Sequence, residues 1–237
     1  MKFASRSWRW LALSVTVGLA LTATLVWAAP AASQLLSPRT GYDPLSADEQ
    51  GQARTLAFQH TEFARAVDAV NQSELLLIER HEETKAVMQS GNWPRRVDVF
   101  VYLYDSDTLL HAVVNLTTRT VDSVETAQDV QLPLTQDETA RAFQLLMADT
   151  AVKTAIAAQY QTITSEALTK PESQLKFRAL IYRADAQPNA HPDAAECGAH
   201  RCAQLLLTTQ ADVVINLLPI VDLSLGRLVS AGAFVGE

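Results

Sequence analysis

The chain has 237 residues, 48% of them hydrophobic and 19% charged, with a net charge of −7. That hydrophobic content excludes a mostly disordered protein and allows one or two domains with sizeable cores. Aromatics at 7%, with 8 Gly and 9 Pro, exclude collagen-like or low-complexity character. Lys/Arg runs are missing beyond the N-terminus, so the basic footprint of a nucleic-acid binder is not there.

Lys2, Arg6 and Arg9 precede an uncharged run over 10–33. A positive start followed by an apolar stretch is the pattern of an export signal, and the small residues around Ala28 to Ala31 suit cleavage. The run also has the roughly 20 residues that an uncleaved membrane anchor needs. Both readings of 1–31 put the remainder outside the cytoplasm, secreted or anchored by one N-terminal segment. Without those three cations the charge falls from −7 to about −10, which argues against docking on anionic lipid. Membrane contact is expected only through the N-terminal segment.

Residues 32–43 read as a linker, with Pro38, Gly41 and the following Pro44 as breakers. Pro44-Leu45-Ser46-Ala47-Asp48-Glu49 then gives a capping box (Ser46 with Glu49) and a staple at Leu45. Ala53, Leu56, Ala57, Phe63, Ala64, Val67 and Val70 follow at helical spacing. The same start recurs 89 positions later as Pro133-Leu134-Thr135-Gln136-Asp137-Glu138. His60 and Asp149 interrupt the two apolar faces at matching places, and Asp149 is suited to cap a fresh turn.

After each helix the period changes to two. The first copy offers strands over 74–80, 97–104, 109–116 and 120–124, an antiparallel meander. The second offers 162–168, 175–184, 202–209, 213–223 and 227–231. Val114-Asn115-Leu116-Thr117 matches Val221-Asp222-Leu223-Ser224 at an offset of 107, so 18 residues are inserted, most simply the polar stretch 185–200. The expected fold is α+β: two tandem modules, 44–130 and 131–237, each a cystatin-like helix packed on a four-stranded antiparallel sheet.

The stretches DPLSADE, RVDVFVYLYDSDTLLHAVVNLTTRTV and PIVDLSLGRLVS resemble the N-terminal N2 and N3 domains of copper amine oxidases. The likeness covers most of 43–232 and implies the same helix-on-sheet fold. In that family the chemistry belongs to a long C-terminal β-domain with a tyrosine-derived quinone and three copper-binding histidines. This sequence has no His-x-His pair and no Asn-Tyr-Asp/Glu site among its five tyrosines. No catalytic or copper-binding residue carries over, and the resemblance implies a stand-alone relative of a non-catalytic accessory module.

Cys197 and Cys202 are the only cysteines. In an exported chain an even count favours a disulfide, with a tight loop over 196–201 entering a strand at Cys202. The alternatives are free thiols or a Cys2His2 metal site of His191, Cys197, His200 and Cys202, whose spacing matches no standard zinc pattern. His60, on an apolar helix face, reads as a packed, hydrogen-bonded residue. Asp105 and Asp107 read as turn residues rather than a cation site. Glu79, His81, Glu82 and Glu83 read as a solvated loop rather than an acid/base pair. Asn71 and Asn115 head glycosylation sequons. The expectation is an exported interaction or scaffold protein, not an enzyme, with a protein partner, no cofactor and no nucleic acid. The alternative is a metal- or small-ligand-binding module using 191–202. A hydrolase would need a pocket joining His81, His111 or His200 to a carboxylate.

Overall fold

The computed structural model describes residue 41 and residues 43–91 and 93–232; the expectations for the N-terminal segment 1–31 and most of the linker lie outside the described residues. The described residues belong to one compact unit. The architecture is α+β, with two four-stranded antiparallel sheets whose strands each lie in chain order. Among the described residues no helix is long and apolar enough to cross a membrane.

The first module opens with α1 (Ala47–Gln59), whose capping box has both reciprocal bonds between Ser46 and Glu49. At His60 the backbone turns extended and a second helix, α2 (Thr61–Asp68), begins. The sheet follows as β1 (Ser73–Arg80), β2 (Arg96–Leu103), β3 (Thr108–Asn115) and β4 (Thr120–Gln128). Between β1 and β2 lies a short helix, α3 (Lys85–Ser90), capped by Thr84 and not foreseen from the sequence. Alternation along β2 decides both faces of this sheet. Val97, Val99, Val101 and Leu103 pack with Ala53, Ala57 and Phe63 of the two helices. Tyr102 and Tyr104 point the other way and belong to the core of the second module.

The second module repeats the plan with α4 (Gln136–Ala148), capped reciprocally by Thr135 and Glu138, and α5 (Thr150–Thr164), capped by Asp149. After α6 (Pro171–Gln174) come β5 (Leu175–Tyr182), β6 (Cys202–Thr209), β7 (Ile220–Asp222) and β8 (Arg227–Ser230). Phe143 of α4 stacks on Phe177 of β5 with ring centroids 4.1 Å apart. One buried cluster runs from Tyr102, Tyr104 and Leu109 through Leu146 and Ile156 to Leu205, Leu207 and Leu223. The two sheets therefore share a core.

Two expected strands differ. Residues 162–164 are helical: Ile156 and Tyr160 keep the buried stripe going, and Thr162 and Thr164 donate to the carbonyls of Ala158 and Tyr160. Such back-bonding fits β-branched threonines into a helix, and Ser165, at φ 62°, ends it. Of 213–223, only Ile220–Asp222 is strand. Pro219 brings no N–H to the ladder, and the Asn216 N–H is drawn to Gln159 of α5.

Candidate functional site

The second module closes around a buried ion pair. Glu138, third residue of α4, caps its own helix by accepting from the Thr135 N–H at 2.8 Å. It also accepts from Arg201, through both Nε and Nη2, and from the Tyr104 hydroxyl at 2.5 Å. Both charged side chains are fully buried. The remaining Arg201 donors go to Gln131 Oε1 and to the carbonyls of Leu132 and Pro133, at 3.1 to 3.2 Å. Burial alone would raise the Glu138 carboxyl, but the hydrogen bonds and charge of Arg201 outweigh it and hold it below the usual carboxylate range. Burial and the Glu138 charge push the Tyr104 hydroxyl up, so it stays a donor.

The first module holds the same clasp. Arg95 donates to Glu49, through Nε and Nη2, and to the carbonyls of Asp43 and Pro44. The Arg95 bond lowers Glu49 to about 2. Each arginine immediately precedes the second strand of its module, and its own carbonyl accepts from Leu116 or Leu223. Sequence reasoning missed both arginines. The signal that exposes them is the repeat itself, carried one step beyond the capping boxes.

His200 stands between two carboxylates at the junction of the modules. Its Nδ1 lies 2.8 Å from Asp222, and its Nε2 lies 3.8 Å from Asp107 at the β2–β3 turn. Asp107 accepts from the hydroxyls of Tyr102 and Ser224, and Ser224 Oγ accepts from the Arg201 N–H. Burial would lower His200, but the Asp222 bond and the charges of Asp222, Asp107 and Glu196 raise it above the ordinary 6.5. Its contribution to stability is therefore full below about pH 6.5 and lost as pH rises through the raised value. Denaturant melts from about pH 6 to about pH 9 should show that loss, and His200→Gln should flatten it.

A second imidazole–carboxylate group lies on the first sheet. His81 Nδ1 and His111 Nε2 both lie 2.8 Å from Asp98 Oδ1, and His111 stacks on Phe100. Burial would raise Asp98, but the bonds from His111 and His81 outweigh it and lower it. Beside it Glu83, 5% exposed, pairs with Arg96 at 3.0 Å. The solvated-loop expectation is corrected for His81 and Glu83, which are drawn inward by cations and carboxylates on β2. Glu79 and Glu82 stay at the surface. The imidazoles that a hydrolase needs do meet carboxylates, yet the Ser224 hydroxyl bonds Asp107 rather than an imidazole. That is not the nucleophile–base order of a triad.

The other candidates are placed as follows. The Cys197 and Cys202 sulfurs are 2.05 Å apart, at disulfide distance. Gly198 turns the loop between them at φ 125°, where a Cβ would press on Asp185 at 3.2 Å. The Cys2His2 alternative is corrected. The sulfurs face each other, His200 is held by Asp222, and His191 accepts from Asp193 N–H. Among the described residues no group of three such ligands is placed to hold a metal ion. A cavity of about 190 Å³ lies between the insertion and its sheet, lined by Gln187, Asn189, His191 and Gln204 among others. It falls short of the roughly 300 Å³ at which ligand pockets begin. His60 differs from expectation: its Nδ1 is buried without a hydrogen-bond partner, because its backbone serves as the joint between α1 and α2. Asp105 accepts from Asn71 and the Gln72 N–H, so Asn71 is tied to a turn, and Asn115 caps the N–H groups of Thr117 and Thr118.

The loop closed by the cysteines is short, and removing the cross-link should cost about 2 kcal/mol on the chain-entropy scale. Cys197→Ser should thus lower the melting temperature without abolishing folding. Intact mass before and after alkylation without reductant tests the bond; two freely alkylated thiols in native protein would refute it.

No protein-family model and no curated protein matches the sequence. The fold resembles part of a copper amine oxidase. One similar solved structure is a copper-containing benzylamine oxidase from Hansenula polymorpha, with a TM-score of 0.53 and 14% sequence identity. The likeness covers 84% of this chain and 30% of that one, so the chain spans less than a third of the oxidase. At that identity the likeness concerns the fold.

Proposed function

We propose that this is an extracytoplasmic interaction or scaffold protein, without catalysis of its own, related to the N2 and N3 accessory domains of copper amine oxidases. The observation that carries the reading is the duplicated carboxylate–arginine clasp. The most deeply buried charges, Glu138 and Arg201, serve to fix a helix, a strand and the neighbouring module. They leave no lone pair or proton free for a substrate. Support also comes from the tandem fold, which the oxidase shares over 84% of this chain. The extracytoplasmic address rests on the export-like N-terminal pattern and on two cysteines at disulfide distance. The partner is a protein.

Purified full-length chain should give no turnover above buffer with primary amines, activated esters or peptides, with or without added copper. Turnover at enzyme-like rates, about 1 per second or faster, would overturn the reading. Retention of activity in His200→Gln and His81→Gln would then place the chemistry elsewhere than at the two imidazole groups.

A further inference from the structure

β5 is the edge of its sheet and pairs only with β6, across eight residues and without a register shift. Among the described residues the Leu175 N–H donates to the Pro171 carbonyl at the end of α6, and no backbone group of 176–182 bonds anything outside that ladder. The other long edges are interrupted: β1 pairs through an irregularity between Leu75 and Leu77, and β4 through one between Val113 and Val114. β8 has four residues. A long regular edge is a template for another strand, which proteins normally blunt with bulges, covering segments or charge. Here the insertion gathers over Tyr182, Cys202 and Ile220 in a cluster of its own. It leaves Lys176, Arg178 and Leu180 exposed, with Leu180 at 68% the most exposed large apolar residue among the described residues.

We propose that β5 pairs with β5 of a second copy, antiparallel about a two-fold axis at Ala179, joining two four-stranded sheets into one of eight. Charge selects this register. An axis at Arg178 sets that cation against itself, and an axis at Phe177 sets Lys176 against Arg178; like charges directly opposite destabilise a strand pair. An axis at Leu180 keeps the cations apart but pairs only residues 178–182 of the strand. The Ala179 axis pairs 176–182. It places Arg178 opposite Leu180 of the second copy, Lys176 opposite Tyr182, and Phe177 opposite Ile181. The two Leu180 side chains become diagonal neighbours and leave water together. The pairing holds whether or not the chain is catalytic.

Sedimentation velocity of the full chain in density-matched mild detergent, across a hundredfold concentration range, tests this. A reversible monomer–dimer equilibrium is expected. Leu180→Lys puts a cation opposite Arg178 twice per dimer, whereas Leu180→Glu puts an anion there. Both remove the same apolar contact, yet the Lys variant should dimerise about tenfold more weakly than the Glu variant. Leu180 is exposed, so both should melt like the parent. A strict monomer, or a dimer indifferent to both changes, overturns the proposal. Equal weakening by both overturns the Ala179 register.

Discussion

Arg201→Ala is expected to lower the unfolding free energy by about 3–5 kcal/mol, the usual cost of leaving one member of a buried ion pair alone. For a unit of this size that corresponds to a melting temperature lower by roughly 10 °C. Glu138 would keep its helix cap and the Tyr104 bond while losing its countercharge. Arg95→Ala should cost less, because Glu49 remains partly open to solvent. The double variant Arg201→Met with Glu138→Leu should recover part of the loss, since burying neither charge removes the desolvation penalty. Urea denaturation of the parent and the three variants at neutral pH measures these differences. A loss below about 1 kcal/mol for Arg201→Ala would mean that water reaches the pair. Acid acts on the same clasps. Glu49 and Glu138 titrate below their unfolded values, so their contributions are full above about pH 4.5 and disappear as pH falls, for Glu49 through about 2.

Tyr104→Ala should remove about 3–5 kcal/mol and change the form of the unfolding transition. Its ring lies in the shared core with the Arg141 guanidinium 4.3 Å above it, and its hydroxyl reaches Glu138. Tyr104→Phe keeps the ring and should cost about 1.5–3 kcal/mol for the lost bond to a charged acceptor. The parent should unfold in one calorimetric transition. In Tyr104→Ala the calorimetric enthalpy should exceed the van't Hoff value, as the two modules begin to melt separately. Two separate transitions in the parent would contradict the shared core.

Much of the fold was legible because its signals are local. Each capping box occupies four adjacent residues, and the polar breaks at His60 and Asp149 each mark the joint between two consecutive helices. The first meander alternates cleanly and forms as expected. The misread segments are those where a distant contact decides. Thr162 to Thr164 look strand-like by branching alone, but the stripe through Ile156 and Tyr160 keeps them helical. The site was less legible for the same reason. Arg201 lies 63 residues from Glu138, and Asp107 lies 117 from Ser224; on the page each is an ordinary surface residue or turn former. The alternation along β2 did not say what covers its second face, although Phe100, Tyr102 and Tyr104 there suit the covered surface that the structure shows.

The distance between Glu138 and Arg201 also sets an order of events as the chain is made. Residues 44–130 contain both halves of their own clasp and emerge first from the ribosome. Glu138 emerges next, with α4 ready capped, but its countercharge arrives 63 residues later. Until then α4 can settle on the sheet only by burying a bare carboxylate, which costs several kcal/mol. Tyr104, waiting on the finished first module, supplies one hydrogen bond but no charge. The second half of the chain is therefore expected to stay open until Arg201 is synthesised, and then to close onto a template that its predecessor has already built.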